Sequence, residues 1–253
     1  MTWTLVTIPA SHYCDKARWA LDRAGLAYIE DGHMPILHWR AARRHKGTRT
    51  VPILVHDQGI AADSTDILHV IDAHVAADQQ LFPAEPALRA RVAAWEERFD
   101  RQLGPAARRL VYFHLLQDPA LTTDVVGSGA PRHERVIFRG LFPLLAGLMR
   151  RGMNITPAKS AQSREKLQAL FADVGAELAD GRRYLCGDRF TAADLTFAAL
   201  ASPVLLPDGH PVIRTAWARV PPAMQAEITA FRETPAGEFA LRLYREERRA
   251  SGL

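Results

Sequence analysis

Two hydrophobic periods share the first thirty residues. Residues 3–8 (Trp-Thr-Leu-Val-Thr-Ile) form a β-branched apolar run stopped by Pro9. From Ser11 onward apolar positions recur at helical spacing, with Ala17, Ala20, Leu21 and Ala24 on one face and Gly25 as a stop signal. Residues 27–30 return to a strand pattern. Strand, helix, strand in this order predicts a βαβ unit, which a right-handed crossover makes parallel. After a polar, basic stretch, residues 51–55 and 59–62 flank the turn-like His56-Asp57-Gln58 and predict an antiparallel hairpin. Ser64 is then expected to cap a helix that turns Ile67, Leu68 and Ile71 inward.

Beyond residue 86 the strand pattern disappears. Long 3.6-residue periods replace it, first Leu88, Val92, Trp95 and Phe99, later Leu167, Leu170, Val174 and Leu178. The expectation is an α/β amino-terminal domain over residues 1–76, a linker over 77–86 bounded by Pro83 and Pro86, and an all-α domain over 87–253. Thr191 and Asp194 have the spacing of a capping box, with Phe190 able to staple Leu195. Residues 132–151 carry an apolar stripe of Val136, Ile137, Leu141, Leu144, Leu145 and Leu148, surrounded by Arg132, Arg135, Arg139, Arg150 and Arg151. An amphipathic membrane-surface helix has this pattern, but so does an ordinary core helix; Pro143 interrupts the stripe and its charge rules out spanning, so membrane contact is not expected.

Composition narrows the class. With 253 residues and 48% hydrophobic positions the chain can bury two cores. The amino terminus lacks a basic segment, a signal-length apolar run and a cleavage site, which points to the cytoplasm. Cys14 and Cys186 are too few for a disulfide framework and lack zinc-site spacing, so reduced thiols and no metal are expected. The net charge of +4 is dispersed among acids, arguing against nucleic acid. Arg40, Arg43, Arg44, Lys46 and Arg49 are the local exception and could attract an anion.

The chemistry concentrates at the first strand-to-helix turn, Ser11-His12-Tyr13-Cys14-Asp15-Lys16-Ala17-Arg18. Free N–H groups and partial positive charge at a helix start stabilise an anion there, including a thiolate, and the Ser11 hydroxyl could donate to that sulfur. His12 or Tyr13 could instead touch the sulfur or a second substrate, Cys14 reads as a buried helix residue and Arg18 as a structural ion pair. At Val51-Pro52 a cis bond would present the Val51 N–H and C=O to an extended peptide. Asp63-Ser64 opens a second helix, where Asp63 could bind an α-amino group and Ser64 with nearby N–H groups a carboxylate. Together these would hold a small zwitterionic peptide.

Ser11-x-x-Cys14 with Arg18, Val51-Pro52, Asp63-Ser64, and Gly187-Asp188-x-x-Thr191-x-x-Asp194 appear in an order and spacing that resembles the glutathione S-transferase family. The resemblance spans nearly the whole chain. It implies a thioredoxin-like N-domain with a cis Val51-Pro52 bond, a helical C-domain, glutathione as co-substrate and a homodimer. It also implies that Ser11 activates the thiol, that Val51 pairs with the cysteinyl backbone, and that Asp63 and Ser64 hold the γ-glutamyl end. The chain departs from the pattern at Asp63, where many members have glutamate, and at Thr50, where lysine or glutamine is common; by spacing, His38 is then expected at the glycyl carboxylate, helped by Arg49. A small hydrophobic electrophile would lie between the domains, lined by His12, Tyr13, Tyr112 and Phe113. Thiol conjugation is the first expectation; a non-catalytic binding or regulatory protein and a glutathione-dependent reductase or lyase are the alternatives.

Overall fold

The computed structural model describes residues 2–46 and 49–248. Strand β1 (Trp3–Thr7) leads through Pro9 into α1 (His12–Ala24), which Gly25 ends in the left-handed conformation at φ 66°. Strand β2 (Tyr28–Gly32) lies parallel to β1. It runs two residues further than its composition suggests, because each residue from Tyr28 to Gly32 is opposite one of β1. Helix α2 (Trp39–Lys46) follows; the Lys46 side chain, Met1 and residues 249–253 fall outside the described part. The hairpin of β3 (Ile53–His56) and β4 (Gly59–Ala61) completes a sheet of order β2-β1-β3-β4, with β1–β3 and β3–β4 antiparallel. Helix α3 (Ser64–Asp72) returns across it. Its cap is Asp63 rather than Ser64: the Asp63 carboxylate accepts from Thr65 N–H at 2.8 Å, and Ser64 is the first helical residue.

The connection to the helical part is anchored rather than a free polar strap. Leu81 and Phe82 are buried in the main core, and their N–H groups donate to the Asp72 carboxylate at 2.7 and 2.8 Å. Then come α4 (Pro86–Arg98), a single π turn (Phe99–Leu103) and α5 (Gly104–Leu115) in one continuous rod. Helices α6 (Pro119–Val126), α7 (Arg132–Gly140), α8 (Phe142–Gly152), α9 (Pro157–Glu177), α10 (Ala192–Leu205), α11 (Pro222–Arg232) and α12 (Pro235–Glu246) complete the fold.

Helix α10 is apolar on all sides and is accordingly buried from Ala192 to Ser202, with α1, α4, α5, α11 and α12 around it. Its start shows the capping box: Asp194 accepts from the Thr191 N–H and also from Leu185 N–H, both at 2.8 Å. Burial nevertheless pushes the Asp194 carboxyl up to about 6.

The 132–151 segment breaks at Leu141, ahead of Pro143 in the first turn of α8. Its packing face differs from the apolar stripe read along the sequence. Phe138, Phe142, Leu145, Ala146 and Met149 are buried around Met34 in a second core, whereas Val136, Ile137, Leu141, Leu144 and Leu148 are exposed. The break at Leu141 resets the helical phase, so one periodic count cannot span both helices. Glu134 fixes α7 to the sheet domain by accepting from Met34 N–H and pairing with His33 Nδ1, each at 2.7 Å. Among the described residues no helix is long and apolar enough to cross a membrane.

The main core is continuous across the two parts: Trp3, Leu5, Trp19 and Leu54 belong to the same cluster as Phe99, Phe171, Phe197 and Leu200. Asp15, with no exposed surface, lies in the joint. Tyr244 Oη donates to it at 2.8 Å, Arg248 at 3.1 Å and Arg18 at 3.2 Å. Burial alone would raise its pKa, but Arg248, His210 and Arg18 hold the carboxyl well below the usual range. Removing one member of a buried ion network leaves the others uncompensated, so Asp15→Ala is expected to cost about 3–5 kcal/mol in urea denaturation. With the folded pKa depressed, this stabilisation is in place above the unfolded value of about 3.9 and is lost as pH falls below it. Asp15→Asn is therefore expected to flatten the acid limb of the stability–pH curve.

Candidate functional site

A cavity of about 570 Å3 opens between the sheet domain and the helices, within the range of small-molecule sites. Ser11, His12 and Tyr13 line it from the head of α1, and Thr50 and Val51 from the entry to β3. Tyr112 lines it from α5, with α8, α10 and α11 closing the far side. Ser11 occupies the cap position of α1 in extended conformation (φ −76°, ψ 129°), yet its side chain makes no capping bond. The helix therefore does not consume the hydroxyl, and the first-turn amides have no acceptor within the helix. Val51 stands ahead of the paired residues of β3 and is joined to Pro52 by a cis bond. Pro52, Asp63 and Ser64 are outside the cavity proper.

His38 lines the cavity, but its Nε2–H donates to the Arg49 carbonyl at 2.9 Å. Burial lowers its pKa and favours the neutral ring, against the opposing effect of the Arg49 carbonyl. His38 thus holds the 49–51 segment in place, while Arg49, stacked over the Trp39 ring at 4.9 Å, offers its charge at the rim. At α3 the Ser64 hydroxyl is buried and engaged, accepting from Lys16 Nζ at 3.1 Å, so Ser64 can offer a ligand its main-chain N–H.

His12 and Tyr13 face the cavity with their rings, and both commit their polar atoms to the helical domain. His12 Nε2–H donates to the Gly104 carbonyl at 3.1 Å and Tyr13 Oη to the Asp100 carbonyl at 2.7 Å. Burial first, then the nearby Arg108 charge, push the His12 pKa down to about 3, so the ring is neutral. Burial raises that of Tyr13, keeping the phenol protonated. The π turn explains why the Asp100 carbonyl is available. Gly104 N–H bonds to Phe99 rather than Asp100, and the next residue, Pro105, has no N–H to give. Among the described residues no group of three or more His, Cys, Asp or Glu is placed to hold a metal ion.

Residues 5–79 match the family described as Glutathione S-transferase, N-terminal domain, and residues 157–223 match Glutathione S-transferase, C-terminal domain. The chain belongs to the glutathione S-transferase family. Similar solved structures include a theta class glutathione S-transferase from Xanthomonas axonopodis pv. citri with glutathione bound (21% identity, 95% of this chain and 97% of that chain, TM-score 0.58). Glutathione transferase F7 from Populus trichocarpa is 18% identical over 95% of this chain and 98% of that one, with a TM-score of 0.58. Beta-etherase LigF from Sphingobium is 18% identical over 96% and 99%, with a TM-score of 0.61. At these identities the likeness is one of fold. No curated protein matched the sequence.

In this member of the family Cys14 has no exposed surface, and burial pushes its thiol up to about 12 despite the opposing effect of Arg18. It is a neutral packing group. Phe113 does not reach the cavity: Arg108, Val111, Tyr112 and Leu115 share one face of α5, and Phe113 is turned to the second core. Lys16, Gly104 and Arg108 carry no local motif, and their partners or neighbours at the site are remote in sequence. The closest thing to a signal was Gly104-Pro105 inside a helical pattern. A Cβ on Gly104 would stand 2.3 Å from Tyr13 Oη and 2.6 Å from its Cζ. Gly104→Ala is therefore expected to push Tyr13 off the Asp100 carbonyl and lower the melting temperature. Tyr13→Phe alone is expected to cost about 1 kcal/mol, the worth of one hydrogen bond. The double variant is expected to lose less than the sum of the two, a coupling read from a double-mutant cycle in urea.

Proposed function

We propose that the chain is a glutathione transferase acting in a reducing cytoplasm, with glutathione bound across Val51 and the starts of α1 and α3. Glutathione supplies the nucleophilic sulfur. The observation that carries the reading is the Ser11 hydroxyl, free of capping duty, at a helix N-terminus and on the wall of an interdomain cavity. Ser11 Oγ–H donates to the sulfur, and with the helix dipole favours the thiolate over the thiol. The Val51 main chain pairs with the cysteinyl residue. The α3 amides and Ser64 N–H receive the γ-glutamyl carboxylate, with the exposed Asp63 carboxylate near its ammonium. Arg49, held by His38 and Trp39, meets the glycyl carboxylate. Neutral His12 and protonated Tyr13 shape the space beside the sulfur and take no proton from it.

The electrophile occupies the apolar cavity, so its reacting carbon is presented to the sulfur out of bulk water. Two buried, unpaired cysteines support a reducing compartment, and a homodimer is part of the proposal, checked by light scattering. Ser11→Ala is expected to lower kcat/KM for an activated aryl halide about 10- to 100-fold, the loss of one charge-assisted hydrogen bond. Glutathione affinity by calorimetry is expected to change less than about threefold, because its other contacts are retained. The pH profile of kcat/KM is expected to move to higher pH. Unchanged turnover and profile would show that the thiolate is stabilised without Ser11.

A further inference from the structure

The cavity has a charge that the proposed glutathione site does not use. Arg108, on α5, lines it, and the Arg108 Nε is buried without a hydrogen-bond partner. Among the described residues the guanidinium forms neither a hydrogen bond nor an ion pair, whereas the adjacent Arg109 is bonded to the Met153 carbonyl and the Ser163 hydroxyl. No aspartate or glutamate among the described residues lines the cavity. Arg108 is half-buried, with Nε shielded from water and no counterion on the cavity wall, so an anion entering the cavity meets an uncompensated positive charge among apolar side chains.

The other basic groups do not compete for that anion. Arg49 lines the cavity from the entry to β3, beside Thr50 and Val51 and stacked on Trp39, and is assigned to the glycyl carboxylate of glutathione. His12 is held neutral by burial and by Arg108 itself. His210 accepts through Nδ1 from the Val212 and Ile213 amides at 3.1 and 3.0 Å, and burial lowers its pKa. One helical turn from Arg108, Tyr112 also lines the cavity, and burial raises its phenol to about 12 despite the Arg108 charge, so it remains an O–H donor. The surrounding surface is apolar, supplied by Val111, Leu115, Leu121, Met149 and Met224.

We infer that the second substrate is an apolar electrophile carrying a single carboxylate, which Arg108 grips through its planar fork with the Tyr112 hydroxyl as an added donor. One fixed positive charge balances a monoanion; a doubly charged phosphate would leave charge unpaired in an apolar wall. The inference rests on the transferase reading for the word electrophile and on the cavity alone for the carboxylate.

The test separates the two. Without glutathione, calorimetry compares 4-phenylbutyrate with the uncharged 4-phenylbutanol on wild type, Arg108→Met and Arg108→Lys. The expected result is tighter binding of the acid by wild type, a loss of about 10- to 100-fold for the acid in Arg108→Met, a much smaller change for the alcohol, and partial recovery in Arg108→Lys. With glutathione, 4-chloro-3-nitrobenzoate and its methyl ester are compared as variant-to-wild-type ratios, so their intrinsic reactivities cancel. In each, sulfur bonds the ring carbon, chloride leaves and the thiol proton passes to solvent. Arg108→Met is expected to lower kcat/KM for the acid about 10- to 100-fold more than for the ester, mainly through KM. Equal losses for both members of either pair, or no preference for the acid in wild type, would overturn the inference. Arg108-dependent binding of the acid without conjugation of any electrophile would uphold it and sink the transferase reading. Should Arg108→Met fail to fold, Arg108→Lys carries the same comparison.

Discussion

An ammonium group with no exposed surface sets the arrangement on which the rest depends. Lys16 projects from α1 into the joint between the domains, where it pairs with Glu96 and meets Asp100 at 3.2 Å and the hydroxyls of Ser64 and Thr65 at 3.1 and 3.2 Å. Removing that charge from water costs several kcal/mol unless carboxylates meet it. The carboxylates are on the helical domain, the hydroxyls at the start of α3. A sheet domain with Lys16 inside is therefore satisfied only when α4 and the π turn are docked, and that docking brings the heads of α1 and α3 to the same side of the molecule. The two helix starts assigned to the sulfur and to the γ-glutamyl end of one peptide are tied together by a group that need not touch the peptide.

The π turn extends this constraint to the wall of the cavity. Its register withholds the Gly104 amide from Asp100, Pro105 cannot replace it, and Tyr13 takes the carbonyl. His12 bonds one turn further along. The two residues next to Ser11 thus spend their polar atoms on docking, while the Ser11 hydroxyl takes no part in capping the helix. The same rod then continues into α5, so the residues that shape the α1 turn also set the phase in which Arg108 and Tyr112 face the cavity.

Features within one element were legible in the sequence. A β-branched run ended by Pro9 marked β1, Gly25 stopped α1, and the Thr191–Asp194 spacing announced the start of α10. Where two candidates stood side by side the sequence was ambiguous, and α3 took its cap from Asp63 rather than Ser64. In the 132–151 segment the count of apolar positions was right and their direction was not, because the break at Leu141 changes which face meets Met34. At the site, the order of motifs led to Ser11 and Val51, but the functions of their neighbours were decided by groups far along the chain. His12 answers to Gly104, Lys16 to Glu96, and His38 to the main chain of Arg49. Arg108 had no local signature, since what distinguishes it is the lack of an acid on the surrounding wall.

The Asp15 network also sets a timetable. Asp15 and Arg248 are 233 residues apart, so at synthesis rates of about 5–20 residues per second the carboxylate is made roughly 10–50 s before its guanidinium partner. Throughout that interval Arg18, on the same helix, is the one of the three donors to Asp15 already made, so α1 closes over Asp15 with its charge only partly compensated. Full compensation of Asp15 waits for α12 and Arg248. A chain that stops short of α12 lacks Tyr244 and Arg248, two of those three donors, so the last helix to be made is also the one that closes the joint around a residue of the first.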